Sequence, residues 1–289
     1  MMTVSAFLLD PFVHGFMQRG LVVAILVGTV CALLSCYLVL KGWSLMGDAV
    51  SHAVLPGIVL AQAVALPAVI GAFAAGLACA LATGYLRDNS RVKEDAVMAI
   101  VFSGMFALGL VMFARDGGGG QHLMHILFGN MLGVRWSDVI ETALIAVPVT
   151  VLVLAKRRDL MLYCFDPAHA RAIGLPVQWL HYGLLILLAL TIVAALKAVG
   201  IILVIAMLIA PGCIGSLLTR RFDAMLMAAV LAAVFSCVAG TILSFHLDAA
   251  TGPSIVVVQA LVFCGALSWR LLSARLGRAT GPESDVAAP

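Results

Sequence analysis

Apolar runs long enough to cross a bilayer recur along almost the whole of this sequence. Residues 198–218, AVGIILVIAMLIAPGCIGSLL, hold no charged side chain, and neither do residues 224–245. A spanning helix needs about 20 mostly apolar residues. Comparable runs lie near 20–40, 44–66, 67–86, 95–114, 139–155, 179–197 and 254–272. The chain is 63% hydrophobic and 11% charged, whereas a soluble domain is roughly a quarter charged. Only lipid accommodates so much apolar surface. The expected fold is therefore all-α, a polytopic transmembrane helical bundle of eight or nine spans. The count turns on 198–218, which Pro211-Gly212 interrupts. Broken helices are tolerated at membrane depth where they line a cavity.

No internal repeat is evident, so the bundle reads as one domain over residues 1–272, with a polar tail at 273–289. The basic clusters orient it, because loops rich in Lys and Arg stay in the cytoplasm. They are Arg87, Arg91 and Lys93; Lys156, Arg157, Arg158 and Arg171; Arg220 and Arg221; and Arg270, Arg275 and Arg278. Two expected spans separate each cluster from the next, so all four fall on one side. The C-terminus is then cytoplasmic, and the loops near 115–138 and 246–253 face outward. The start, MMTVSAFLLDPFVHGFMQRG, lacks a basic opening and reads as a short amphipathic lead-in or a disordered tail rather than a cleavable signal. The formal charge of +3 sits in loops and speaks to topology rather than to nucleic acid. Seven cysteines lie mostly inside apolar runs without CxxC pairing, which marks them as small buried residues.

One stretch is too polar for its surroundings. In KGWSLMGDAVSHAVLPGIVLA, residues 41–61, Asp48 and His52 stand four apart, stacked on one helical face. An ionisable residue at mid-bilayer costs at least about 2.5–3.5 kcal/mol, and such residues usually face a polar path or a partner. Pro56 has no N–H, so the His52 carbonyl loses its helical partner. A carboxylate, an imidazole and a freed carbonyl suit divalent first-row ions. The competing reading makes Asp48 the N-cap of a helix starting near Ala49, with His52 bonded to a neighbour. One chain supplies too few ligands for a closed site; a second copy would double them, or the site is open so that the ion can leave.

The same stretch resembles the motif of membrane permeases from bacterial ABC importers for manganese, iron and zinc. The likeness continues through RVKEDAVMAIVFS (91–103), ILFGNMLG (126–133), FDPAHARAIGLPV (165–177), AVGIILVIAMLIAPG (198–212) and AATGPSIVVVQ (249–259). SLMGDAVSHAVLPG is most similar to the manganese/iron branch; zinc-type permeases tend to differ around the histidine. The resemblance implies a multi-pass protein of the bacterial inner membrane. It places Asp48 and His52 in the pathway of a transported Mn²⁺ or Fe²⁺, with Zn²⁺ as the alternative cargo, and no permanently bound cofactor. The helix-breaking residues Pro56, Pro211 and Gly212 become candidates for lining the path. Implied partners are a cytoplasmic ATP-binding subunit, an extracytoplasmic metal-binding protein and a second permease subunit, identical or paralogous.

The chain carries no G-x-x-x-x-G-K-[ST] loop, and GGGG at 117–120 is followed by Gln121 and His122. It is not expected to hydrolyse ATP itself. The stretch 157–178 offers the docking element. Asp166 is placed as an N-cap, Pro167 as the first helical residue and Gly174 as the stop. This looks like the coupling helix of ABC permeases, with Ala168, Ala170 and Ala172 small enough to permit close approach; an ordinary surface helix between two spans is the plainer reading.

Other polar residues have simpler readings. His122 and His125 fall on one helical face of the outer loop, an interfacial loop helix first and a peripheral metal-entry site second; His246 and Asp248 in the last outer loop are either solvated loop polarity or a contact for the binding protein. Lys197 and Asp138 read as interfacial anchors, and His169 and His181 as groups that snorkel or face water. Gly71 with Ala75, and Gly76 with Ala80, are small residues four apart that let helices pack closely. Two further functional classes compete. An ion-coupled secondary transporter would need several buried ionisable residues, and the spans hold almost none besides Asp48 and His52. An intramembrane enzyme would need a nucleophile and base or an HExxH-like site, and neither is present.

Overall fold

A computed structural model of the chain describes residues 12–43, 45–115, 129 and 131–279. All regular structure among them is helical: α1 (Gly15–Lys41), α2 (Met46–Ala63), α3 (Ala68–Asn89), α4 (Glu94–Arg115), a 3₁₀ turn (Met131–Gly133), α5 (Trp136–Ala155), α6 (Arg157–Phe165), α7 (Pro167–Ala172), α8 (Val177–Leu218), α9 (Phe222–Leu247) and α10 (Thr251–Ala279). α1 forms the axis of the bundle, packed by α8, α9, α5 and α6. Its residues Cys31, Leu34, Tyr37 and Leu38 are fully buried. It stops at Gly42, whose φ of 78° is the left-handed cap conformation that glycine adopts without strain. The chain then turns back through Trp43 into α2.

Seven described helices are long and apolar enough to cross a membrane, rather than eight or nine. Two places account for the difference. α2 misses the apolarity because it carries Asp48 and His52. The expected segments 179–197 and 198–218 are joined in the 42-residue α8. A straight helix of that length would be about 63 Å, twice the hydrocarbon thickness. α8 instead folds back at Gly200, the residue with non-helical torsions (φ 80°, ψ 167°). Both of its ends reach the same end of α1. Val177 and His181 line a cleft with Lys41, while Ser216 and Thr219 line one with Leu40.

This relocates the expected break. α8 runs on through Pro211 and Gly212. There the Ser35 hydroxyl of α1 accepts from the Gly212 N–H at 2.9 Å and donates to the Ile209 carbonyl at 3.0 Å. The Ser35 side chain thus ties α1 to the α8 backbone on either side of Pro211. A Cβ on Gly212 would lie 2.6 Å from the Ser35 carbonyl oxygen, so the Pro-Gly pair serves close packing. Pro56 is likewise inside continuous helix.

α2 is gripped by glycines. Gly57 packs on Gly71 of α3, and Gly76 of α3 meets Val50 and Val54. Gly109 of α4 sits against Pro56. Gly71 and Gly76 therefore do the packing their spacing suggested. Lys41, Arg157, Arg171, Arg220 and Arg221 gather at one end, where Lys41 and Arg171 share a cleft with Asn89, Arg220 and Arg221 line one with Leu40, and Arg157 pairs with Asp223 at 3.4 Å. α10 starts at the opposite end, beside Ser244, and continues to Ala279, beyond residue 272 where the tail was expected to begin.

Candidate functional site

Asp48 and His52 meet. α2 begins at Met46, so Asp48 lies within its first turn rather than capping it at Ala49. Its carboxylate Oδ1 is 3.0 Å from His52 Nδ1, and its carbonyl oxygen is also 3.0 Å from that nitrogen. Facing two acceptors, Nδ1 carries the proton, and in the neutral ring Nε2 then holds the lone pair. A histidine fixed this way through one nitrogen is oriented to ligate through the other. Both side chains stay partly open, at 24% exposure for His52 and 28% for Asp48.

The ring is also positioned from α4. Phe102 and Phe106 lie 5.7 and 5.2 Å from it, centroid to centroid. These two phenylalanines, four apart on one helical face, were not singled out in the sequence; their spacing was the signal available. Gly47 packs on Leu208 of α8, so the pair begins well inside the bundle. Among the described residues no third His, Cys, Asp or Glu joins the pair into a three-ligand group. Pro56 sits one turn beyond His52 on the same helix, while Pro211 and Gly212 belong to the α1–α8 contact.

At the basic end, α7 has the expected caps. Asp166 Oδ1 accepts from the N–H groups of Ala168 (3.0 Å) and His169 (2.9 Å), and Pro167 opens the helix. Gly174 has a φ of 84°. Phe165 and Ile173 project into solvent at 78% and 56% exposure, alongside exposed Ala168, His169 and Ala172. Ala170 is different. It is fully buried against its own chain and cannot belong to a surface offered outward. Helical spacing turns it to the opposite side from Ala168 and Ala172. Burial pushes the neighbouring Cys164 thiol up to about 12, which keeps it protonated.

The remaining polar residues are mostly accounted for locally. Lys197 pairs with Asp138 at 3.1 Å and Glu141 at 2.8 Å. His246 stacks near Phe245, and Asp248 ends α9 in the left-handed conformation. His169 is exposed. His181 is half-buried on the wall of the cleft it shares with Lys41, bonded to Tyr163 and set edge-on to Trp43. His122 and His125 lie outside the described residues.

The sequence pattern of the ABC 3 transport family matches residues 13–270. The chain belongs to this family. It is 61% identical over 284 residues to the chelated iron transport system membrane protein YfeD of Yersinia pestis, covering 96% of this chain and 95% of that protein. It is 50% identical over 282 residues to the manganese transport system membrane protein MntB of Synechocystis sp., covering 96% and 92%. Among solved structures it resembles PsaBC from Streptococcus pneumoniae in complex with Fab, with a TM-score of 0.82 at 34% identity, covering 91% of this chain and 95% of that one.

Proposed function

We propose that this chain is the transmembrane permease of an ATP-driven importer that carries Mn²⁺ or Fe²⁺ into the cytoplasm. The observation that carries the reading is the near-complete coverage by relatives named for iron and manganese transport. The Asp48–His52 pair supports it chemically: one hard oxygen donor and one imidazole match those ions better than a thiolate site would. Two copies of the chain, or this chain and a paralogue, would bring two such pairs to one path. Four side-chain ligands hold an ion firmly enough to select it, and parting the copies would release it.

The basic end is the cytoplasmic end. An ATP-binding subunit docks there on α7 through Phe165, Ala168, Ala172 and Ile173, held in place by the Asp166 cap, Pro167 and the Gly174 turn. ATP binding draws two such docking helices together, and the bundle changes which side it opens to. Work is done on the metal only if the two states hold it differently. Asp48 and His52 supply that difference when the bundle rearranges around α2. An extracytoplasmic metal-binding protein delivers the ion to the opposite end.

The test is uptake of radiolabelled manganese, iron and zinc into proteoliposomes holding the permease pair, its ATP-binding subunit and the binding protein. ATP-dependent uptake of manganese or iron is expected. Uptake that ignores ATP and follows a proton or sodium gradient would overturn the reading, and uptake of zinc alone would overturn the choice of cargo.

A further inference from the structure

The turn before α2 is tied to the segment before α7 by side chains that neither the metal pair nor the docking surface uses. Tyr163, near the end of α6, bonds through its hydroxyl to His181 Nδ1 of α8 at 2.8 Å. The His181 ring stands edge-on to Trp43, centroids 5.4 Å apart. Lys41 closes the group, its Nζ 4.3 Å from the Tyr163 ring centre and 5.9 Å from that of Trp43. Trp43 and Tyr163 are buried. On one side, Tyr163 is followed by Cys164, Phe165 and the Asp166 cap. On the other, the Trp43 carbonyl accepts from the Met46 N–H at 3.0 Å, and Met46 opens the helix turn that holds Asp48.

Space and joints accompany this linkage. A cleft of about 580 Å³ lies beside it, with Pro167 and Arg171 on one wall and Ala80, Gly84 and Tyr85 of α3 on another. Extended Asp166 (φ −141°, ψ 91°) precedes α7, and Gly174 (φ 84°) follows it. The Asp166 N–H is bonded to the Leu162 carbonyl at 2.9 Å and the Ala170 N–H to the Asp166 carbonyl at 3.0 Å, which ties the start of α7 to the α6 turn that carries Tyr163.

We propose that Tyr163 and His181 are positioning residues that transmit movement of α7 to the Asp48–His52 turn through Trp43. The inference rests on α7 being the docking helix. Pull on α7 shifts Tyr163; the hydrogen bond carries the shift to His181; the ring edge carries it to Trp43, and so to the start of α2. Breaking the link leaves an assembly that hydrolyses ATP and binds metal but moves little of it.

The experiment uses the complete assembly in proteoliposomes and measures Mn²⁺ imported per ATP hydrolysed. Tyr163→Phe removes only the hydroxyl, and His181→Ala removes the acceptor. Each is expected to keep ATP hydrolysis near the wild-type rate; Tyr163→Phe should lower the metal-to-ATP ratio about tenfold, the upper range for one hydrogen bond, and His181→Ala, which also removes the ring edge on Trp43, at least as much. The double variant loses no more than His181→Ala alone, and His181→Asn, which keeps a hydrogen-bonding atom near Nδ1, recovers part of the ratio. An unchanged ratio in both single variants would overturn the proposal. So would hydrolysis that falls in step with transport, or losses that add in the double variant. Asp48→Asn in the same assay separates the two ideas: lost transport there beside normal coupling in Tyr163→Phe removes the linkage and leaves the metal reading standing. A cysteine crosslink from Ala172→Cys to the ATP-binding subunit checks docking, and its absence would overturn the linkage together with its premise.

Discussion

Gly57 of α2 and Gly71 of α3 each occupy the space a side chain on the other would need. A Cβ on either residue would overlap the other's carbonyl oxygen. The helix that carries Asp48 and His52 is therefore fixed against its neighbour by main-chain contact, with no flexible side chain between them.

Gly57→Val and Gly71→Val should each destabilise the bundle by about 1–3 kcal/mol or more, the range for overpacking a close contact. Thermal unfolding in detergent measures this. Gly265→Ala, with nothing within 4 Å of the added carbon, is the matched control and should hold the midpoint or raise it slightly, since alanine favours helix.

Gly200 and Pro211 are expected to differ in how much a substitution costs. Gly200→Val forces a branched side chain into a conformation open essentially to glycine alone, at a cost of about 1–3 kcal/mol. Pro211→Ala gives an N–H back to continuous helix and should be the milder change. Monodispersity on size-exclusion chromatography after heating ranks the two; the reverse order would return the break to Pro211.

The Asp166 cap is worth about 1 kcal/mol to a helix of only six residues. Asp166→Ala should loosen α7 and reduce co-purification of the ATP-binding subunit, while Asp166→Asn, which keeps a side-chain acceptor, should retain most of it. Equal losses in both would mean that the carboxylate charge, not the cap, matters.

The exposed Lys197 links to Asp138 and Glu141 predict a small effect. Surface ion pairs contribute under about 1 kcal/mol. Lys197→Ala should leave uptake and folding near wild type, measured by transport and thermal midpoint together.

Much of this architecture could be read from the chain because lipid imposes one simple rule, about 20 apolar residues per crossing. The rule fails at α2, where Asp48 and His52 dilute the apolar run, and it cannot show that two runs join at Gly200. Proline looked like the breaker in α8 because sequence alone does not show Ser35 of another helix holding the backbone on either side of it. The Asp48–His52 contact was legible from its spacing of four, and so were the Asp166 cap and the Gly174 stop. Ala170 is buried, and a six-residue helix presents too short a pattern for the sequence to show which side that is. The link between Tyr163 and His181 depends on how α6 and α8 fold together, which no local pattern encodes.

The central claim is that the imidazole of His52 and the carboxylate of Asp48 take hold of the transported ion. Pulsed electron paramagnetic resonance of Mn²⁺ bound to the purified full assembly tests it most directly. Imidazole nitrogen coupling is expected in the wild type and should disappear in His52→Ala, with weaker binding in Asp48→Asn. Mn²⁺ held equally tightly, with the same nitrogen signature, in both variants would contradict it.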